Sequence, residues 1–242
     1  MLRLTMAVAV LAGCRDPRIV MKPLPELVAG VARAALAAGE LLLIPGESMI
    51  WDVHWHGLTI GRAELVVTER EVRSRFKTGR LASSFANVEF ELTTILDRST
   101  ALPYAASERV VEDGETLRLE PKFDGARVML GDRAVQVPGG SHAHTLHSAI
   151  GAIRAWTQPD APPGYLFLVH LGEVYRVDLE TPVLEEVQGA HAWRIDCRVR
   201  AAKPISVTIW LTGTPERTPI RIEMASGAER VAAELIETSN RE

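Results

Sequence analysis

Residues 46–67, GESMIWDVHWHGLTIGRAELVV, constrain the fold more than any other stretch of the chain. Trp51, Val53 and Trp55 alternate with Asp52, His54 and His56. That is the period-two pattern of a strand with one apolar and one polar face. Gly57 and Gly61 bracket Leu58-Thr59-Ile60, and Ala63, Leu65 and Val67 resume the alternation. The stretch therefore predicts a long strand, a glycine-containing turn and a second strand. A hairpin is not stable alone, so the rest of the chain must supply more strands.

It does. Val72, Ser74 and Phe76 alternate with Arg73, Arg75 and Lys77, and Phe90, Leu92 and Thr94 alternate with Glu89, Glu91 and Thr93. Asp113-Gly114, Asp124-Gly125 and Gly131-Asp132 mark turns between short β segments. Beyond residue 164 the pattern returns: 165–171, 175–179, 193–199, 205–211, 220–224 and 231–236 all read as strands. Turn signals at this spacing favour an antiparallel meander forming an open or half-closed barrel or sandwich. One amphipathic helix is expected inside it at about 143–156, with Leu146, Ala149, Ile150, Ile153 and Trp156 on one face and Ser141 or Thr145 as its cap. Leu146, Ile150, Ile153 and Trp156 are expected against inward residues such as Trp55, Leu65 and Ile209, with Arg154 on the opposite, solvent side. The Pro-rich run 157–164 is the best place for a boundary, but 46–242 reads as one β domain.

The N-terminus differs. Residues 1–13, MLRLTMAVAVLAG, place one positive charge before an apolar run and small residues before Cys14, the pattern of a secretory signal. Leu11-Ala12-Gly13-Cys14 resembles a bacterial lipobox, which implies cleavage before Cys14 and its acylation. Acyl chains hold a soluble domain on a membrane. Arg15 rather than Asp follows the cysteine, which by analogy with enteric sorting points to the outer membrane, facing the periplasm. Residues 14–45 are expected to be a lipidated tether: Pro17, Pro23 and Pro25 keep its start open, the Ala-rich run 26–38 suits a short helix, and 40–45 suits a short strand.

Gly46-Glu47, Trp51, Trp55-x-Gly57 and Gly61-x-Ala63 together resemble the opening of DUF3108, a family of bacterial envelope proteins of unknown function. Leu102-Pro103, Lys122-Phe123-Asp124, the helix with Ala149 and Ile153-Arg154, Ile209-Trp210-Leu211 and Arg217-x-Pro219-Ile220 follow in the family's order. The usual Asp-x-Leu-Ser before the helix is replaced by His144-Thr145-Leu146-His147-Ser148. The resemblance implies a fold and a location in a Gram-negative envelope, not a reaction.

Candidate chemistry is sparse. His142, His144 and His147 are spaced so that imidazoles could meet on Zn²⁺ or Cu²⁺, but no carboxylate or thiol is spaced as a further ligand. A polar helix N-terminus is the preferred account of them. Asp52, His54 and His56 share a strand face, for which an outward polar face is the competing account. Cys197 alternates with Trp193, Ile195 and Val199, as a buried thiol does. There is no Gly-x-Ser-x-Gly elbow, phosphate loop, dinucleotide fingerprint or Cys-x-x-Cys. The net charge of −4 and the interleaving of Arg70, Arg73, Arg75, Lys77 and Arg80 with Glu69 and Glu71 give no footprint for nucleic acid. The expected function is non-enzymatic, without cofactor: binding of a hydrophobic ligand or lipid, with an envelope protein partner or a His-based metal site as alternatives.

Overall fold

The computed structural model describes residues 32–36, 41–80, 82–84, 87–97, 100–187 and 189–240. The signal segment and Cys14 lie outside the described residues. The strands are β1 (Ala34–Ala35), β2 (Glu47–Trp55), β3 (Leu58–Val67), β4 (Glu71–Thr78), β5 (Val88–Leu96), β6 (Pro103–Glu112), β7 (Glu115–Leu119), β8 (Lys122–Asp124), β9 (Arg127–Leu130), β10 (Arg133–Gln136) and β11 (Ala143–His144). The helix α1 (Leu146–Trp156) follows. Then come β12 (Gly164–His170), β13 (Glu173–Leu179), β14 (Val183–Val187), β15 (Ala190–Arg200), β16 (Ile205–Thr212), β17 (Pro219–Ser226) and β18 (Glu229–Asn240).

The mainly β expectation, with one internal helix, is met; the simple antiparallel meander is not. All the strands join one sheet, and it is mixed. Antiparallel pairing runs from β12 through β13, β15, β16, β17 and β18 to β2, then through β3, β4, β5, β6, β8 and β9 to β10. β14 shares β15 with β13, and β7 shares β6 with β8. β1 and β11 both lie parallel to β12. Among the described residues no pairing joins β10 to β1 or β11, so the sheet is open. The departure from chain order with the longest reach is β18 against β2, where Leu235 faces Trp51 and Asn240 faces Glu47.

The opening hairpin forms as expected. His56 and Gly57 both take positive φ, 47° and 80°, the two-residue turn whose twist matches that of the strands it joins. Met49, Trp51 and Val53 are buried on β2 while Ser48, Ile50, Asp52 and His54 are half-buried between them.

Two expectations near the N-terminus are corrected. The helix at 26–38 falls partly outside the described residues, and within them 32–36 is extended. There Leu36 donates its N–H to the Tyr165 carbonyl at 2.9 Å. Arg33 reaches the Leu179 carbonyl at 2.6 Å and Glu180 at 2.7 Å. A short Ala-rich helix gains little on its own, and an open sheet edge offers backbone partners and a core for Leu36. Residues 41–44 are not a strand either. They are a strap over the helix: Leu42 donates to the Gly151 carbonyl at 3.0 Å, and a Cβ on Gly151 would lie 2.9 Å from Leu43 Cγ.

The helix begins at Leu146, the first residue of its apolar period, rather than at about 143, and of the two candidate caps Thr145 is the one used. Thr145, extended at φ −79° and ψ 173°, is the cap: its side chain accepts from the Ser148 N–H, while Ser148 Oγ accepts from the Thr145 N–H at 2.9 Å. Residues 143–144 therefore belong to β11. Ala149 and Ile153 pack with Leu166, Leu179, Ile195 and Ile209. Leu146 and Trp156 are half-buried beside them, as Ile150 is elsewhere on the helix. Trp55 and Leu65, expected under the helix, belong instead to clusters on the β2–β4 side. The two limbs of the sheet also meet directly, where Phe167 and Val169 of β12 join Leu92, Ala106, Phe123 and Val128 of β5–β9. The sheet thus curls, and α1 lies within the curl.

Candidate functional site: the anchors of the buried helix and a histidine cleft

Arg154, expected at the surface, is 0% exposed and Glu47 is 2% exposed. The guanidinium makes a two-pronged contact with the carboxylate, at 2.8 and 2.9 Å. Nε and Nη2 also donate to the Glu216 carbonyl, at 3.1 and 2.6 Å. Arg217 in turn donates to the Arg154 carbonyl at 3.1 Å, serving an open C-terminal carbonyl of the helix. The C-terminal half of α1 is thereby tied to the start of β2 and to the β16–β17 loop. The correction has a simple cause: a helical period assigns faces relative to one wall, and this helix has walls on more than one side.

The N-terminal half has its own anchor. His147 is buried, with Nδ1 2.9 Å from Thr94 Oγ1 on β5 and Nε2 2.8 Å from Ser74 Oγ on β4. Thr94 gives its one hydroxyl proton to Thr145 Oγ1 at 2.9 Å. His147 Nδ1 must then be the donor, and Nε2 accepts from Ser74. Burial pushes the His147 pKa down to about 3, so the ring is neutral. Both nitrogens are taken, so His147 has no lone pair left for a metal.

His142 and His144 stand elsewhere, on a cleft of about 210 Å³ lined with Ala35, Leu36, Ser141, Tyr165 and Leu166. His144 is 2% exposed, and its Nδ1 has no hydrogen-bond partner. Burial, with a smaller contribution from the neighbouring His142, lowers its pKa to about 4. The three histidines are not one cluster. Among the described residues no group of three His, Cys, Asp or Glu side chains converges as a metal site.

The polar face of β2 is consumed locally. Asp52 accepts from Arg62 at 3.3 Å, and His54 Nδ1 lies 3.2 Å from Thr59 Oγ1. His56 sits in the turn, 3.4 Å from Glu229. Cys197 is buried among β15 neighbours, and burial pushes its thiol up to about 12, so no thiolate is available as a nucleophile.

Two buried carboxylates were not singled out from sequence. Glu108, 1% exposed, accepts the Leu171 N–H at 2.6 Å and lies 3.4 Å from His170. It thereby steadies the β12–β13 turn, where Leu171 takes φ 48°. Burial tends to raise the Asp178 carboxyl, but hydrogen bonds from Arg176 at 2.8 Å and Arg200 at 2.6 Å outweigh it and hold it below the usual carboxylate range. In the sequence both acids sit among alternating charges and look like surface residues.

No family model matches the chain, and no curated protein matches it. Among solved structures, the fold is similar to a β-barrel-like protein of the domain of unknown function DUF1849 from Brucella abortus. The TM-score is 0.61 at 12% identity, over 84% of this chain and 100% of that one. The Mycobacterium tuberculosis lipoprotein LppX aligns over 82% of this chain and 88% of its own, at 12% identity, but with a TM-score of 0.28 that carries no argument. The first likeness supports a barrel-like fold and nothing about activity.

Proposed function

We propose that this chain is a non-enzymatic, DUF3108-like protein of the cell envelope that binds a hydrophobic ligand, a lipid in the first instance, within its curled sheet. Acylated Cys14 holds it at the outer membrane, facing the periplasm. The observation that carries the binding role is the way α1 is held. On the β12–β16 side it is fixed by apolar packing of Ala149 and Ile153. On the β2–β5 side it is fixed by separable polar contacts: Arg154 to Glu47, and His147 to Ser74 and Thr94. Such a helix can part from the second wall while keeping its seat on the first. On the wall it would leave, Leu65 and Val72 are the cross-strand partners of Ser74 and Thr94, and with Met49 they form an apolar surface fit for an acyl chain.

The non-enzymatic role is supported by the state of the buried polar groups. Arg154 and His147 are spent on protein partners, Asp178 lies between two arginines, and the Cys197 thiol stays protonated.

Native mass spectrometry of protein extracted gently from envelopes is expected to find bound lipid. Lipid-stripped protein should take lipid up again from phospholipid vesicles, and Arg154→Met, which releases the helix from β2, should take up more. No lipid in the extracted protein and none taken up by either form would sink the ligand reading. A second reading, protein–protein assembly, is favoured by β14. Among the described residues it pairs with β15 alone, and it exposes Val183 and Leu184. A stoichiometric partner chain in the same spectra, lost on Leu184→Lys, would replace the lipid reading with that one.

A further inference from the structure

We propose that the cleft between β1 and β11 binds a divalent transition-metal ion of the copper type through the imidazoles of His142 and His144. The inference is independent of what the curled sheet encloses.

The cleft is a break in an otherwise continuous sheet edge. β1 pairs with β12 at Gly164 and Tyr165, and β11 pairs with it at Phe167 and His144's partner Leu168. Leu166 falls between the two registers, and it lines the cleft. The strand β11 and its approach are extended, with Ser141 at φ −70° and ψ 155°. Ala143 turns its side chain into the core beside Phe167, at 2% exposure. Alternation then sends His142 and His144 to the other face together. Residues two apart on a strand are separated by roughly 6.6 Å. Two imidazoles at that spacing can reach one ion, each nitrogen lying about 2.0–2.1 Å from it.

A second observation points to a ligand. His144 Nδ1 is buried without a partner, whereas nearly all buried polar atoms have one. Among the described residues the rest of the lining is Ser141, Tyr165, Ala35, Leu36 and Leu166, with no carboxylate. Two imidazoles without a carboxylate or thiolate exclude calcium and magnesium, which require oxygen ligands. They favour the top of the affinity series for nitrogen sites, Cu²⁺ ahead of Ni²⁺ and Zn²⁺, with water completing the coordination.

The test titrates the full chain with Cu²⁺ alone at neutral pH and reads paramagnetic resonance. One tightly held equivalent with a two-nitrogen signature is expected. His142→Ala and His144→Ala should each lose that equivalent, while His147→Ala should keep it, because its ring is engaged by Thr94 and Ser74. His144 is buried and its variant is exposed to misfolding, so His142→Ala, checked by circular dichroism, is the deciding variant. An unchanged signature in folded His142→Ala places the ion elsewhere, for example at His54 and His56, and overturns the assignment. So does wild-type protein that holds no Cu²⁺.

Discussion

Arg154 and Glu47 meet across 107 residues of sequence, and neither is in contact with solvent. Removing one partner of such a pair strands a buried charge, which typically costs ~3–5 kcal/mol. Arg154→Ala is therefore expected to destabilise the domain by about that much, read from urea melts. The double variant Glu47→Leu with Arg154→Met should recover most of the loss, because an apolar pair of similar volume is often neutral. Failure of the double variant to recover would mean that the contacts to Glu216 matter more than the ion pair. A pH prediction belongs at the same scale. His147 has a folded pKa near 3 against an ordinary value of 6.5. The folded state resists a proton that the unfolded chain accepts, so its contribution is fully present above 6.5 and is lost as pH falls from there toward about 3. His144 acts in the same direction, down to about 4. Melting temperatures should fall between neutral and mildly acidic pH, and His147→Gln should flatten that slope. These residues were the least legible from sequence. Glu47 and Arg154 both stand in segments that carry the family resemblance, yet nothing in a linear pattern couples them. Alternation and helical period rank residues by polarity, and a buried ion pair inverts that ranking.

At the scale of elements the sequence was a better guide. The Asp113-Gly114 turn falls where it was expected, because a two-residue turn demands positive φ and the sequence provides for it. The helix was legible in kind, in its apolar face from Leu146 and in Thr145 as a candidate cap; the reciprocal contact with Ser148 is what sets its start there rather than at about 143. Thr145→Ala should cost about 1 kcal/mol from the cap alone. It should cost more here, because Thr145 also receives the Thr94 hydroxyl. Ile153 is 4% exposed in the largest core cluster, so Ile153→Ala is expected to cost ~2–5 kcal/mol and lower the melting temperature by several degrees. A melt within a degree of wild type would show that the helix packs too loosely on β12–β16 to serve as the fixed side of a plug. The strand at 34–35 was illegible, because a two-residue pairing on an open edge leaves no period to read.

At the scale of the whole molecule, local patterns say which segments are strands and leave open which strands are neighbours. The β18–β2 pairing is the case in point. It joins the two limbs of the sheet, it carries a bulge between Leu235 and Glu237, and no turn links its partners. Truncation after Ser226 should therefore do more than remove one strand. It leaves β2 and β17 as bare edges inside the sheet, and the expected outcome is aggregated protein on size-exclusion chromatography. A monomeric, cooperatively melting truncation would show that the limbs cohere without the seam. The seam also sets an order of events in time. As the chain emerges from the ribosome or from an export channel, β2 to β6 can pair at once, because each is hydrogen-bonded to the strand that follows it in sequence. β2 then waits with one side unpaired while nearly all the remaining residues follow, because its partner is the last strand described. Anything that slows delivery of β18 prolongs that exposure, so a strand made late decides whether one made early stays out of trouble.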